Sequence, residues 1–214
     1  MPKPDAAGET AGVGTALAHL RLLRDDAAAD GIADHAQPPQ LPPVSSDEPL
    51  TFDRLFSEHA RFVALVAMRV LGRDDEVDDI VQDVFMCALK ELHRLRQPQA
   101  VRGWLKTITV RKAYRLLQRR RLRAWLGLDD PAWRQASALE IPAPTCSPEE
   151  RSLLLRVYQL LDQLPAAERL AWTLRYLEGE RLEAVATLCD CSLATAKRRV
   201  TAAHSFIERT LSDA

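Results

Sequence analysis

The chain has 214 residues and a formal net charge of −1, enough sequence for one ordinary domain or two small ones. Ala, Leu, Arg and Glu are abundant, aromatic residues are sparse, and the period-two alternation typical of strands is hard to find, so the composition predicts an all-α protein. No run approaches the roughly 18 apolar residues of a membrane span, and the start MPKPDAAGET lacks the basic-then-apolar order of a signal peptide. We therefore expect a cytoplasmic protein.

The near-neutral total conceals a strong segregation of charge. Residues 94–123 contain eleven Lys and Arg and no Asp or Glu, whereas residues 1–50 contain three basic and eight acidic side chains. A local excess of this size in a balanced protein indicates that one surface meets a polyanion.

Residues 1–50 are rich in Ala, Pro and acid, which predicts a disordered or weakly helical extension; a regulatory arm is the alternative. The four cysteines are too few for a disulfide scaffold. Cys189 and Cys191 have no matching Cys or His pair elsewhere, so we predict neither a metal site nor a cofactor. Cys87 lies in an apolar helical stretch and is interpreted as a small core residue.

The first predicted domain, residues 51–124, begins with two amphipathic helices. Apolar residues recur at helical spacing up to a stop at Gly72, and the next helix begins within DDEVDD, where acids favour a helix start. The apolar positions are Phe52, Leu55, Phe56, Phe62, Val63, Val66 and Val70 in the first helix, and Val77, Ile80, Val81, Val84, Phe85, Ala88 and Leu92 in the second. The opposite ridge of the second helix carries Asp79, Gln82, Asp83 and Met86, which are therefore available to a partner.

A third helix is predicted after Pro98, and it carries the basic run. On a helical wheel Arg111, Arg115 and Gln118 share one face. The opposite face holds Trp104, Leu105 and Ile108 near its start and Thr109, Ala113, Leu116 and Leu117 further on. Because the segment has no acids of its own, we expect its guanidinium groups to remain available for phosphates.

Residues 125–147 contain three prolines and weak periodicity, which predicts a flexible linker. About 25 residues extend to at most ~80–90 Å, whereas a free linker spans only ~25–30 Å. Something must therefore hold the domains apart when they act at distant sites.

The second predicted domain, residues 148–214, begins at a strong helix start, with Ser147 as N-cap and Pro148 at the first position. Four helices are predicted, at about 148–163, 166–177, 181–188 and 192–211. The last two have the dimensions of a helix-turn-helix: Asp190 in the turn tolerates a left-handed conformation, and Ser192 caps the second helix. The start of that helix, which enters the major groove in this motif, offers Ser192, Thr195, Lys197, Arg198 and Arg199.

Together, the two predicted domains resemble a bacterial alternative sigma factor of the extracytoplasmic-function type. In the first domain the resemblance lies in DDEVDDIVQDVFMCAL and VRGWLKTITVRKAYRLLQRRR. In the second it lies in LLDQLPAAERLAWTLRYLEGERLEAVATLCDCSLATAKRRV, which follows the family's order of LPxxxR, RYLEG and TxKRR. The likeness covers about residues 52–124 and 150–211, and it depends on the order and spacing of these motifs.

The resemblance implies that the first domain binds the clamp helices of core RNA polymerase and opens the −10 promoter element, while the second binds the −35 element. Asp79, Gln82, Asp83 and Phe85 match the family's polymerase-binding helix. Because Phe85 lies on the apolar stripe, we assign polymerase binding to Asp79, Gln82, Asp83 and Met86.

The candidate DNA-binding residues follow from the same resemblance, for duplex and for melted strand. They are Arg102, Lys106, Arg111, Lys112, Arg115, Arg119, Arg120 and Arg121 in the first domain, and Ser192, Thr195, Lys197, Arg198 and Arg199 in the second. The family places a pocket for an unstacked base near residues 98–102. An anti-sigma factor is a further expected partner, and no catalytic residue is expected, because the polymerase performs the reaction.

The sequence departs from the family at two places. Arg111 and Arg115 stand where many relatives have Asn and Asp, so the −10 preference does not carry over. Ala202, His204 and Ser205 replace basic residues usual beyond the recognition region, which concentrates the expected −35 contacts in residues 197–199.

Two alternatives remain open. A conventional helix-turn-helix regulator would act without replacing the sigma subunit, but it leaves the basic segment unexplained. DDEVDD is also similar to the aspartate-rich Mg²⁺–diphosphate motif of isoprenoid synthases, yet no second aspartate-rich helix completes such a cage.

Overall fold

The computed structural model describes residues 51–91, 100–128 and 148–212, with side chains from residue 151 onward in the last range. Within these ranges the chain forms α-helices and no strand, so the all-α prediction is confirmed. The helices are α1 (Phe52–Leu71), α2 (Val77–Glu91), α3 (Val101–Trp125), α4 (Pro148–Gln163), α5 (Ala166–Tyr176), α6 (Leu182–Leu188) and α7 (Leu193–Ser212). None of the helices in the described part of the chain is long and apolar enough to cross a bilayer.

The four helices predicted between 148 and 211 begin and end within one residue of those observed. The extension 1–50, the linker from 129 to 147 with its Ser147 cap, Leu92, and the start of the loop at 98–102 (Pro98 and Gln99) lie outside the described residues.

Helices α1, α2 and α3 pack against one another and form the first unit. Helix α1 begins at Thr51, whose Oγ1 accepts a 3.4 Å hydrogen bond from the N–H of Arg54. It ends at Gly72, which has φ 66° and donates its N–H to the carbonyl of Met68 at 2.7 Å. Glycine suits this position because a left-handed backbone strains residues that carry a Cβ.

The predicted apolar stripes form the core of the first unit, with one exception. Val63, Val66, Val84 and Phe85 are buried, but Phe56 is 45% exposed. The ring of Phe56 lies at the edge of the stripe, where it contacts the ring of Phe85 with centroids 4.8 Å apart. The prediction that Phe56 belongs to the buried stripe was therefore wrong.

Helices α4 to α7 form the second unit. Its core is built on Leu161, Trp172 and Ile207, which are almost completely buried. Helix α6 and helix α7 are joined by a short turn in which Asp190 has φ 50°, and the Oγ of Ser192 accepts a 3.2 Å hydrogen bond from the N–H of Thr195. Both features of the predicted helix-turn-helix are confirmed.

The two units pack directly against each other. One buried apolar cluster extends from Val66 and Leu105 of the first unit to Leu170, Leu174 and Val185 of the second. Contacts join α5 to α1 and α3, and α6 to α3. The second unit is thus held against the first by a shared core, in addition to the linker.

Gly72→Ala should destabilise the protein by more than the ~1–2 kcal/mol of left-handed strain. The added Cβ would overlap the ring of Tyr158, which belongs to the second unit. Urea denaturation measures the loss in free energy of unfolding. In a Tyr158→Ala background, Gly72→Ala should cost only the strain of the left-handed backbone. Equal losses in the two backgrounds would contradict this close approach.

Candidate nucleic-acid and protein interfaces

The first half of helix α7 presents a continuous outer face. Ala196 and Val200 anchor the helix in the core, and the exposed residues between them follow helical spacing. These are Ala194, Lys197, Arg198, Thr201 and Ala202. Of the predicted contacts, Lys197 and Arg198 lie on this face, which corresponds to the part of the second helix that enters the major groove in helix-turn-helix motifs.

The other predicted residues of this helix are less accessible. Thr195 and Arg199 are half-buried, and the hydroxyl of Thr195 is 2.9 Å from that of exposed Ser192, so this pair contributes to the helix cap. Thr201 also lies on this face and was not among the predicted residues. Its spacing, i+4 from Lys197 and i+3 from Arg198, could have indicated it.

The turn before α7 contains two half-buried free cysteines. Burial, and secondarily the neighbouring Cys191, raises the pKa of Cys189 to about 12, so this thiol is protonated at neutral pH. No group of three potential metal ligands occurs among the described residues. We interpret the two thiols as packing groups that join the turn to the core.

Helix α3 presents a second exposed face, formed by Arg111, Arg115, Gln118 and Arg119, which we call the basic ridge. Its three arginines have no carboxylate partner in the described part of the chain. Thr109, Ala113 and Leu117 on the opposite side are buried. The predicted partition of the helical wheel is therefore observed, and the ridge is open to an anionic ligand.

Other predicted DNA-binding residues of α3 are already engaged. Lys112 Nζ lies 2.9 Å from Asp83, and Arg120 pairs with Glu76 and lies 3.4 Å from Asp75. The guanidinium of Arg102 lies 4.3 Å from the centre of the Phe62 ring, in a cation–π contact. The expectation that the guanidinium groups of this segment remain available therefore fails for Arg120, because acids remote in sequence are close to it in space.

Two more of these residues contact the second unit. Lys106 Nζ lies 2.7 Å from Glu178 and 2.5 Å from Glu180, and Arg121 donates to the carbonyl of Leu164 at 2.6 Å. Burial alone would lower the pKa of Lys106, but the two carboxylates raise it above its ordinary value.

The pKa of Arg120 is shifted in the opposite direction to that of Lys106. Burial, together with the neighbouring guanidinium of Arg73, lowers the pKa of Arg120 to about 10, and its carboxylate partners do not fully offset this. It remains charged at neutral pH, but it is surrounded by groups of both signs and is less accessible than the basic ridge.

The predicted ridge of α2, Asp79, Gln82, Asp83 and Met86, is exposed along its length, and we call it the acidic ridge. Met86 is 49% exposed, and two further large apolar side chains, Phe56 and Leu89, are similarly accessible on the same unit. An acidic and apolar surface of this kind suits a protein partner better than DNA.

The two units of the protein match two regions of a known protein family. Residues 55–123 match the family model described as Sigma-70 region 2, and residues 154–204 match Sigma-70, region 4. The two matches together span more than half of the chain and fall on the first and second units, respectively.

Curated relatives are similar over most of the chain. The RNA polymerase sigma-H factor of Pseudomonas aeruginosa is 25% identical over 173 residues, 78% of this chain and 90% of its own. The ECF RNA polymerase sigma-E factor of Escherichia coli K12 is 29% identical over 170 residues, which are 77% of this chain and 88% of its own. A probable RNA polymerase sigma factor RfaY of Xanthomonas campestris is 26% identical over 179 residues, and this chain spans only 43% of it.

The fold is similar to that of a solved sigma factor. The structure of the sigma factor RpoE in complex with the anti-sigma factor NepR, from Bartonella quintana, superposes with a TM-score of 0.56 at 23% identity. It covers 75% of this chain and 96% of that one.

Ser192→Ala should lower the free energy of unfolding by about 1 kcal/mol, because the N–H of Thr195 loses its acceptor. Ser192→Asp, a good N-cap, should keep the stability. Urea denaturation measures both, with Ser205→Ala on the exposed middle of α7 as control. If Ser192→Ala and Ser205→Ala behave alike, the cap does not stabilise this helix.

Proposed function

Because the chain belongs to the sigma-70 family, we propose that its two helical units bind two promoter elements for RNA polymerase. Paired region 2 and region 4 matches, together with similarity to sigma-E and sigma-H factors, identify an alternative sigma factor of the extracytoplasmic-function type. It binds core RNA polymerase, recognises promoters and initiates transcription of a specific regulon. A helix-turn-helix regulator acting without replacing the sigma subunit is not favoured, since region 2 would then have no role.

One observation supports the assignment of two surfaces to DNA binding. The basic ridge of α3 and the outer face of α7 are both exposed and bear arginine or lysine, and each lies in one of the two matched regions. We assign the −10 element to the first surface and the −35 element to the second.

The direct test is in vitro transcription on genomic DNA with purified core polymerase, mapping 5′ ends with and without the protein. New start sites that depend on the protein are expected, sharing two sequence elements at fixed spacing. Specific binding to duplex DNA without polymerase, and no new start sites, would instead support the conventional regulator.

The acidic ridge of α2 is the proposed polymerase-binding surface. Its carboxylates are exposed and face outward from the core, and exposed apolar groups on the same unit supply area that a partner can bury. Carboxylates and apolar groups at one protein interface add specificity and buried area, respectively.

Changing Asp79 and Asp83 together to Ala should weaken association with core polymerase by about tenfold, corresponding to ~1.4 kcal/mol. Asp78→Ala is the matched control, because Asp78 is an exposed acid on the same helix but off the ridge. Competition against a labelled sigma subunit for core enzyme measures the change. Equal affinities for the double variant and the control would contradict the assignment.

Arg198→Ala should weaken recognition of the upstream element by about 1–3 kcal/mol, because an arginine at this position in the motif meets base edges or phosphates. Arg209→Ala provides the control, since Arg209 is an exposed arginine on the last turn of the same helix. Transcription from promoters with an intact or scrambled upstream element measures the effect. A loss that is the same on both promoters would contradict a role in recognition.

Further roles follow from the sigma assignment. We propose that the chain has no catalytic residue and no cofactor, because the polymerase carries out the chemistry, and that it acts in the cytoplasm with the polymerase. An anti-sigma factor is a proposed partner, by analogy with the similar sigma factor that was solved with one.

A further inference from the structure

We propose that the cavity between the end of α1 and helices α3, α4 and α5 binds a phosphate-bearing small molecule, whose phosphate is held by arginine side chains of the wall. The cavity has a volume of about 570 Å³, which lies within the usual range for small-molecule sites. Its wall includes Gly72, which follows α1, and Arg169 of α5. The proposal goes beyond the proposed function and does not depend on it.

Four guanidinium groups line this cavity, and we call them the arginine cluster: Arg73, Arg120, Arg121 and Arg169. Among the lining residues that the structure describes, Asp162 is the one acid. The wall therefore carries an excess of positive charge. Because the planar fork of a guanidinium donates two parallel hydrogen bonds that match phosphate oxygens, this excess favours a phosphate over a neutral ligand.

Arg121 brings to the wall a charge that no acid neutralises within the described ranges. Its Nη1 donates to the carbonyl of Leu164 at 2.6 Å, and no described carboxylate forms an ion pair with it. A carbonyl orients a guanidinium group without neutralising it. Since the side chain of Arg121 is exposed and also reaches the cavity wall, its remaining donors are available to a ligand.

The other two α3 and α5 members of the cluster, Arg120 and Arg169, are more buried, and each keeps a donor that nothing satisfies. Carboxylates pair with both side chains, Glu76 with the first and Asp162 with the second. The Nε atom of each arginine is nevertheless buried without a hydrogen-bond partner. A buried donor that lacks an acceptor is unfavourable. A small rotation of either guanidinium would turn this donor toward a phosphate in the cavity.

The pKa of Arg120 reflects the crowding of these cations. Burial first, and then the guanidinium of Arg73, lower this pKa to about 10, with a further contribution from Arg169 that the nearby carboxylates do not fully offset. An anion bound among the arginines would stabilise their charged forms. The shift therefore agrees with the geometry of the cluster.

The rest of the wall suits the organic part of a phosphorylated molecule. Leu117 and Leu164 are apolar, and Gln159 and Gln163 offer amide donors and acceptors. Helix α5 begins at the wall with Ala166 and has no side-chain cap, so its first N–H groups add a weak attraction for an anion. A wall of arginine, amide and apolar groups fits a phosphate ester better than an inorganic ion.

Promoter DNA is a less suitable occupant of this space. Arg111, Arg115 and Arg119 of the basic ridge are not among the described residues of the cavity wall, whereas the buried side chains Leu117 and Tyr158 are. A duplex presents its phosphates along a broad surface, but this cavity lies between three helices. We therefore assign the site to a small molecule, and competition with DNA tests that choice.

The direct test is isothermal titration calorimetry on the full chain, with inorganic pyrophosphate and ADP as probes. We expect saturable binding of one molecule per chain, and tighter binding of ADP because its organic part covers the apolar wall. Absence of saturable binding for both probes would overturn the proposal. A saturating short duplex should not displace ADP, and full competition between duplex and ADP would assign the cavity to DNA instead.

Arg121→Gln should weaken ADP binding about tenfold, because it removes the charge that has no carboxylate partner while it keeps a donor for the carbonyl of Leu164. Arg123→Gln is the matched control, since Arg123 is an exposed arginine of the same helix that does not line the cavity. Equal losses in the two variants would indicate a general attraction of anions to α3 and would contradict a site in the cavity.

Ala124→Leu tests the cavity without a change of charge. Ala124 is an exposed helical position in the wall, so the larger side chain should leave the fold intact and narrow the site. ADP binding should weaken about tenfold because the ligand loses space and contacts, while the urea midpoint stays unchanged. Wild-type affinity in this variant would count against a ligand inside the cavity.

Discussion

Glu178 lies at the boundary of the two units with its side chain almost inaccessible to water, between Arg69 and Lys106 of the first unit. Burial alone would raise the pKa of Glu178, but Lys106 and Arg69 lower it below its ordinary value, so the group is ionised in place. A charge in such a site is tolerable only when its partners are present. The network of Arg69, Lys106 and Glu178 therefore favours one relative placement of the two units.

In the folded protein, the Lys and Arg side chains of residues 94–123 fall into groups that differ in exposure and in contacts. Arg111, Arg115 and Arg119 are left exposed, Lys112 and Arg120 are neutralised by acids of the first unit, and others contact the second unit. A polyanion attracts all of these cations, but only the first group is available without a change of structure. Arg111, Arg115 and Arg119 are thus accessible to a ligand as the protein stands, whereas Lys106, Lys112 and Arg120 are already paired with carboxylates.

Much of the fold followed from local sequence signals. Gly72 at a helix end, Asp190 in a left-handed turn and the cap at Ser192 were predictable because their causes lie within a few residues of chain. The pairing of Lys106 with Glu178 was not predictable, because charge periodicity says nothing about an acid 72 positions away. Phe56 was assigned to the core because its helical position is apolar, but periodicity does not show how much of a ring the neighbouring helix covers, and Phe56 contacts Phe85 while 45% exposed.

A charge pair links the two surfaces proposed for polymerase and for DNA on the first unit. Asp83 of the acidic ridge holds Lys112 of α3, so a partner that binds Asp83 frees a cation for phosphate, although an exposed pair contributes only a few tenths of a kcal/mol. Lys106 is paired across the two units, so a phosphate that bound Lys106 would leave Glu178 with Arg69. The pair of Asp83 and Lys112 lies within the first unit, whereas the pair of Lys106 and Glu178 joins the two units, so partners at these two places would act on different parts of the structure.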